Sequence, residues 1–203
     1  WFLSNVNGKF QATHTGGLSG IVTQVTILPE LELGIIVLTN QQSGAAFNAI
    51  TNSIKDGYLN IKGLNRIKTY NDNRLRNEKQ ADEIVAKTWA DIATAQKANA
   101  SKPELKNYYG TFKDAWFGDV VISKEKKGFR IICKSSERLK GEVLPYSKDT
   151  FVIKWDDRSY DADAFFTLTF DENGKAVSAK MKPISDVTDF SFDFGDLDLK
   201  KVD

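Results

Sequence analysis

"LGIIVLTN", residues 33–40, decides how the first part of this chain is read. From Leu33 to Leu38 it is apolar throughout, so as a strand it offers hydrophobic surface to both faces of a sheet. Such a strand normally lies centrally, with layers packed on both sides. At an uncovered edge it invites aggregation. Its neighbours are strand-like runs, "WFLSNV" (1–6) and "KFQATH" (9–14), joined by the hairpin signal Asn7-Gly8. "GIVTQVTIL" (20–28) follows, with Ile21, Thr23, Val25 and Ile27 on one face, and then a turn at Pro29-Glu30. "SGAAFNAITNSIKDGYL" (43–59) reads as a helix with Ser43 as N-cap and an apolar stripe of Phe47, Ile50, Ile54 and Tyr58. One helix and a few antiparallel strands cannot cover both faces of Leu33–Leu38. Residues 1–60 therefore read as one part of a larger α/β sheet whose other parts lie outside the chain.

Residues 61–105 open polar and basic ("KGLNRIKTYNDNRLRNEKQ", 62–80). A helix is expected from about Asn77 to Ala100, with the stripe Ala81, Ile84, Val85, Trp89, Ile92 and Gln96, ended by Pro103. Its narrow apolar face suits a linker helix laid on a neighbouring surface. Residues 106–203 are rich in strand signals. Period-two alternation puts Phe129, Ile131 and Cys133 on one face of "GFRIICK", and Phe151, Ile153 and Trp155 on one face of "TFVIKW". The same holds for Phe166, Leu168 and Phe170, for Val177, Ala179 and Met181, and for Phe190, Phe192 and Phe194 in "FSFDF". About eight short strands separated by turns such as "DENGK" argue for a small antiparallel barrel.

Composition excludes several classes of function. The chain of 203 residues has a net charge of +1, which gives no electrostatic case for nucleic acid or an anionic membrane as partner. No apolar run approaches the roughly 20 residues that span a bilayer. Cys133 is the only cysteine and His14 the only histidine, so an internal disulfide and a Cys/His metal site are both excluded, and no cofactor is implied. The strand-like opening "WFLS" points to a fragment with a targeting segment upstream. Acidic clusters occur at Asp156, Asp157, Asp161 and Asp163, and at Asp186, Asp189 and Asp193. They lack the residue order of a calcium loop and read as solvated turns.

The order of motifs in the first region resembles the serine β-lactamase and penicillin-binding-protein superfamily, closest to class C β-lactamases and related esterases and peptidases. The residues that carry this are "HTGG" (14–17), "GIVTQVTILPE" (20–30), "LELGIIVLTN" (31–40) and the helix after them. Acyl transfer needs a serine nucleophile, a base, and N–H donors aimed at the developing oxyanion. The resemblance implies that the Gly17 N–H is such a donor, that Gly16 shares its open approach, that His14 polarises the site or assists proton transfer, and that Thr15 hydrogen-bonds a substrate carboxylate or carbonyl. The residues alone favour a surface histidine ahead of a glycine turn; the order over some sixty residues reverses that. The superfamily also needs a Ser-x-x-Lys and a Tyr-x-Asn or Tyr-x-Ser before the wall motif, and neither occurs in residues 1–13. Ser123…Lys126 and Tyr58…Asn60 match these patterns in form only. The third region resembles the domain of unknown function that often follows such hydrolases, through "YYGTFKD" (108–114), "FGDVVIS" (117–123), "DTFVIKW" (149–155), "AFFTLTFDENGKA" (164–176) and "DFSFDFGDLDL" (189–199).

The expected fold class is thus α+β: the C-terminal strands and helix of an incomplete β-lactamase-like α/β sheet domain (1–60), a linker with an amphipathic helix (61–105), and an all-antiparallel barrel-like domain (106–203). The expected function is that of the C-terminal part of an exported serine hydrolase, periplasmic or in the cell envelope, with the fragment itself inert. Its expected partners are the missing N-terminal part of its own catalytic domain, a peptidoglycan- or peptide-like substrate, and a second copy paired through the incomplete sheet. The alternative is a barrel binding module that docks on the catalytic domain or takes a cell-envelope ligand, with a lipid or peptide inside the barrel as one form of it.

Overall fold

Short connections decide the topology of the first sheet. In the computed structural model, which describes residues 1–18, 20–98, 108–125, 128–189 and 191–202, the chain divides into two units, Trp1–Gln80 and Ala81–Asp203. In the first, β1 (Phe2–Val6), β2 (Lys9–Leu18), β3 (Ile21–Leu28) and β4 (Leu33–Thr39) form a four-stranded sheet in sequence order, every pair antiparallel. This overturns the expectation of a β-lactamase-like α/β sheet: among the described residues there is an antiparallel sheet with helix α1 (Gly44–Tyr58), and no such domain. The reason lies in the connections. Asn7-Gly8 and the single 3₁₀ turn Pro29–Leu31 are hairpin links, whereas parallel strands need a crossover of a dozen residues or more.

Burial also inverts two sequence expectations. Leu33, Ile35 and Val37 are buried, but Ile36 and Leu38 are 70% and 74% exposed, so β4 is covered on one side only. On β3 the buried face is Gln24, Thr26 and Leu28, and the Ile21/Thr23/Val25/Ile27 face looks outward. Helix α1 is rotated accordingly. Phe47, Thr51 and Lys55 pack inward at helical spacing, while Ile50, Ile54 and Tyr58 of the expected stripe are exposed. Ser43 occupies the N-cap position, but its side chain makes no capping hydrogen bond.

Helix α2 runs Arg66–Ala98, eleven residues earlier than the polar sequence suggests. Side chains rather than an apolar stripe start it. Asn65 Oδ1 accepts the Lys68 N–H at 2.9 Å, a capping bond. Arg66 grips Asp56 through two bonds of 2.6 and 2.9 Å. The ion pairs Lys68–Asp72, Arg74–Glu78 and Lys87–Asp91 follow at i,i+4 spacing. Within the second unit the expected stripe does meet a surface. Ile92 is 2% exposed, the Gln96 amide donates to the Pro145 carbonyl at 2.7 Å, and Lys154 Nζ lies 5.9 Å from the centre of the Trp89 ring. Ile84 stays exposed. Ala100, Pro103 and Phe190 of the sequence reading lie outside the described residues.

The second unit contains the antiparallel barrel expected from the alternation. Its strands are β5 (Gly110–Asp114), β6 (Gly118–Glu125), β7 (Gly128–Cys133), β8 (Lys140–Pro145), β9 (Thr150–Trp155), β10 (Ala164–Phe170), β11 (Ala176–Pro183) and β12 (Leu199–Lys201). They close in the order β10-β11-β12-β5-β6-β7-β8-β9. The inside is filled by Phe112, Ile131, Ile153, Trp155, Phe166 and Leu199, each at most 1% exposed. Side chains thus fill the inside of the barrel, where the alternative reading placed a lipid or peptide. Two details escape the alternation. A register shift between Thr169 and Phe170 turns Val177 outward, and Ala176 faces in instead. Residues 191–194 form no strand: Phe192 and Phe194 pack in series against Tyr160 and Trp155 from a turn before β12.

Asp114 ties the closure together. One carboxylate oxygen accepts the N–H groups of Trp116 and Phe117 at 2.8 and 2.7 Å, and the other accepts the Asp198 N–H at 2.8 Å. These backbone donors, Phe117 first, hold its pKa below the ordinary carboxylate value. Asp114→Asn cannot accept all three. A lowered carboxylate pKa stabilises the fold above its unfolded value, near pH 4, and that contribution fades as pH falls through the folded value. Thermal melts should therefore show a gap between wild type and D114N that is full above about pH 4 and narrows in more acidic buffer. Gly141 offers a second test. A Cβ there would lie 2.3 Å from the Lys154 carbonyl oxygen, whereas one at Gly34 meets nothing within 4 Å. In denaturant titrations, Gly141→Ala should cost about 1–3 kcal/mol and Gly34→Ala stay within about 0.5 kcal/mol.

Candidate functional site

The expected wall, His14 to Gly17, lies in the second half of β2. Pairing there is one-sided. β1 accompanies β2 only as far as Phe2↔Thr13, while β3 runs beside it from Ala12 to Leu18. Among the described residues, the stretch from His14 onward therefore has a strand neighbour on one edge only. All four residues are exposed. The His14 ring is edge-on to Trp1 at 5.9 Å and stacked near Phe2 at 6.1 Å.

The two glycines differ in what they do for the fold. A Cβ at Gly16 would lie 2.9 Å from Thr23 Oγ1, and that hydroxyl donates to the Gly16 carbonyl at 3.3 Å. Gly16 is thus explained by its own neighbour. A Cβ at Gly17 would meet the Ile21 carbonyl oxygen at 3.6 Å and Val22 Cγ1 at 3.7 Å, ordinary contacts. Its φ is not among the positive ones either. The sheet does not need glycine at position 17, and the bare backbone it leaves beside a one-sided strand is open to an approaching molecule.

The two formal motif matches lack their context. Ser123 is a strand residue of β6, paired with Arg130, and does not open a helix; Lys126 lies outside the described residues. Tyr58 ends α1 at 60% exposure, and Asn60 sits in a left-handed turn.

Sequence reasoning missed a polar layer under α1. Lys55 Nζ donates to Gln11 Oε1 at 2.8 Å, and burial, reinforced by the nearby Arg66 charge, lowers its pKa. The Arg66 guanidinium holds Asp56 below the usual carboxylate range. Gln24 Oε1 and Thr51 Oγ1 are buried with no partner among the described residues. Hydrophobic periodicity cannot announce such a layer, because its residues read as an exposed face.

On the barrel, four residues of the acidic clusters have side-chain partners. Asp156 pairs with Arg130, and Asp157 with Arg138, around a shallow cleft bordered by Glu137 and Lys140. The Ser159 hydroxyl, ahead of Arg138, draws the Asp157 pKa down to about 2. Arg158 clamps Asp163 with two bonds of 2.7 Å, and Asp189 accepts from Ser191. Among the described residues, no three His, Cys, Asp or Glu side chains converge as a metal site. Burial pushes the Cys133 thiol up to about 12, which leaves it protonated and unreactive at neutral pH. Trp116 is 90% exposed, in the turn that Asp114 pins.

No curated protein matches the chain. Three solved structures align along 98% of it. The crystal structure of SurE is 10% identical with a TM-score of 0.38, and the alignment covers 36% of that chain. SurE with D-Leu is 10% identical with a TM-score of 0.39, over 37% of its length. The octameric penicillin-binding protein homologue from Pyrococcus abyssi is 13% identical with a TM-score of 0.29, over 35%. The chain thus spans little more than a third of the length of the structures it aligns with. A family model described as "Domain of unknown function (DUF3471)" matches residues 94–201, more than half of the chain, so the chain belongs to the DUF3471 family.

Proposed function

We propose that this chain is the C-terminal part of an exported serine hydrolase of the β-lactamase and penicillin-binding-protein type. The parent acylates a serine with an ester, amide or β-lactam and then hydrolyses the acyl-enzyme. The chain supplies one wall of that site and a barrel. The Gly17 N–H is the oxyanion donor, His14 assists proton transfer, and Thr15 holds a substrate carbonyl or carboxylate. One observation carries this reading: among the described residues, Gly17 is bare backbone on a strand edge without a second strand neighbour, and its surroundings leave room for a Cβ. The DUF3471 match adds support, since this domain is often found after β-lactamase-like domains. The nucleophile and its base come from outside the chain, so the chain alone is inert. Incubated with a chromogenic ester and a labelled β-lactam, it should give neither turnover nor stoichiometric labelling; either result overturns the reading. In the full-length gene product, Gly17→Val should lower kcat by about 10²–10³-fold, the scale of losing one oxyanion donor.

A second reading makes the barrel the working part, and Trp116 favours it. A tryptophan at 90% exposure on a pinned turn is a rigid, ready-made anchor for a partner. Because the barrel interior is packed, such binding uses its outer surface. Peptidoglycan fragments and lipid vesicles should then shift the melting temperature of the chain and quench Trp116, and Trp116→Ala should abolish both effects. No shift with any of them counts against this reading.

A further inference from the structure

His14 stands where β1 gives out. The last register pair of β1 is Phe2↔Thr13, and the same register continued by one residue sets Trp1 level with His14. On its other edge His14 is paired with Val25 of β3. The backbone beside it is fixed further. The Thr13 hydroxyl donates to the Val25 carbonyl at 2.9 Å and lies 2.9 Å from the Thr26 hydroxyl. What the strand leaves free is the imidazole, because the outer torsion of such a ring is broad and roughly two-fold. A histidine that moves protons is ordinarily oriented by a third group hydrogen-bonded to its ring. Among the described residues, neither ring nitrogen of His14 has a hydrogen-bond partner. Its neighbours are rings instead: Trp1 edge-on with planes at 62°, and Phe2 with planes at 27°.

The geometry points to Trp1 as a positioning residue for His14, its indole holding the imidazole in the orientation that assists proton transfer. This rests on the proposed hydrolase role of the wall. Trp1 is 64% exposed and Phe2 68%, so neither ring belongs to the core of the unit, and its packing does not account for them. Among the described residues, His14 is the one ring that each of them meets. Trp1 is the better placed of the two. Successive strand residues point to opposite faces, so Trp1 shares the His14 face and Phe2 belongs to the other. At 5.9 Å and edge-on, the Trp1–His14 pair also has the arrangement that ring quadrupoles favour. An aromatic edge orients the imidazole without occupying a ring nitrogen, so both nitrogens stay available for proton transfer.

The test uses the chain and the full-length gene product. In the chain, His14 is the only histidine, so its ring-proton resonances are assigned without ambiguity. Trp1→Ala should move them, because the indole ring current is lost. The melting temperature of the chain should stay at the wild-type value, because Trp1 is exposed. In the full-length gene product, Trp1→Ala should lower kcat about 10–100-fold, the scale of a misplaced catalytic group, and leave KM within about twofold. Trp1→Phe keeps a ring edge beside His14 and should recover most of the rate. Unmoved His14 resonances in W1A overturn the inference, as do a lowered melting temperature, an unchanged kcat, a loss confined to KM, or W1F as slow as W1A. Gly17→Val tells this failure from that of the hydrolase reading. Turnover that falls with G17V and not with W1A keeps the hydrolase and removes the role of Trp1. A full-length protein with no turnover of ester, amide or β-lactam removes both.

Discussion

An eight-stranded antiparallel barrel stands or falls on its closing strand, and here that strand is three residues long. Leu199–Lys201 must satisfy β11 on one side through Ser178↔Lys200 and Ala179↔Leu199. On the other side it must satisfy β5 through Lys200↔Lys113 and Lys201↔Phe112. So few pairings cannot hold register alone. Asp114 supplies what is missing, because its two carboxylate oxygens face two chain segments at once: the β5–β6 turn and the entry to β12. Leu199, 0% exposed, then seats the strand in the core. The same carboxylate that closes the barrel also fixes the turn carrying Trp116. The most exposed large hydrophobic side chain among the unit's described residues therefore sits on a turn that this carboxylate holds.

The barrel was legible because period two is a local signal. "GFRIICK", "TFVIKW" and "AFFTLTF" each declare their inner face within seven residues, and Ile131, Ile153 and Phe166 lie where alternation puts them. What escaped depends on distant partners. The register shift that turns Val177 outward exists only opposite Thr169 and Phe170. The aromatic spacing of Phe192 and Phe194 imitates a strand, yet these rings belong to a chain of contacts ending at Trp155 and Tyr160. The early start of α2 rests on Asn65 and on Arg66 gripping Asp56, ten residues away. Apolar periodicity is silent there because charged pairs, not a buried stripe, carry the helix.

In the first unit, hydrophobicity pointed to the right strands and the wrong faces. The run from Leu33 to Leu38 demanded cover on both sides, and α1 covers only one. The helix lies on the side where Gln24 meets Asn48 and Gln11 meets Lys55, so the polar groups of sheet and helix partly satisfy each other. A buried lysine that donates to a neutral amide is costly, and burial accordingly lowers its pKa. Such a layer persists only where the alternative is worse. The alternative would place these polar groups against another apolar surface with no partners at all. The strongly apolar face is thereby left exposed.

The candidate wall sits on that free face, and this joins the two questions the molecule poses. His14 belongs to the apolar face by register, and Gly17 stands beside it on the one-sided stretch of β2. A catalytic wall needs a nucleophile brought against it from another segment, and an apolar face needs a second layer. Both are satisfied by the same event, the arrival of further protein over β2 and β3. If the arriving surface is the rest of a hydrolase, the wall becomes part of a site. What arrives over the sheet therefore decides whether residues 14–17 act in chemistry.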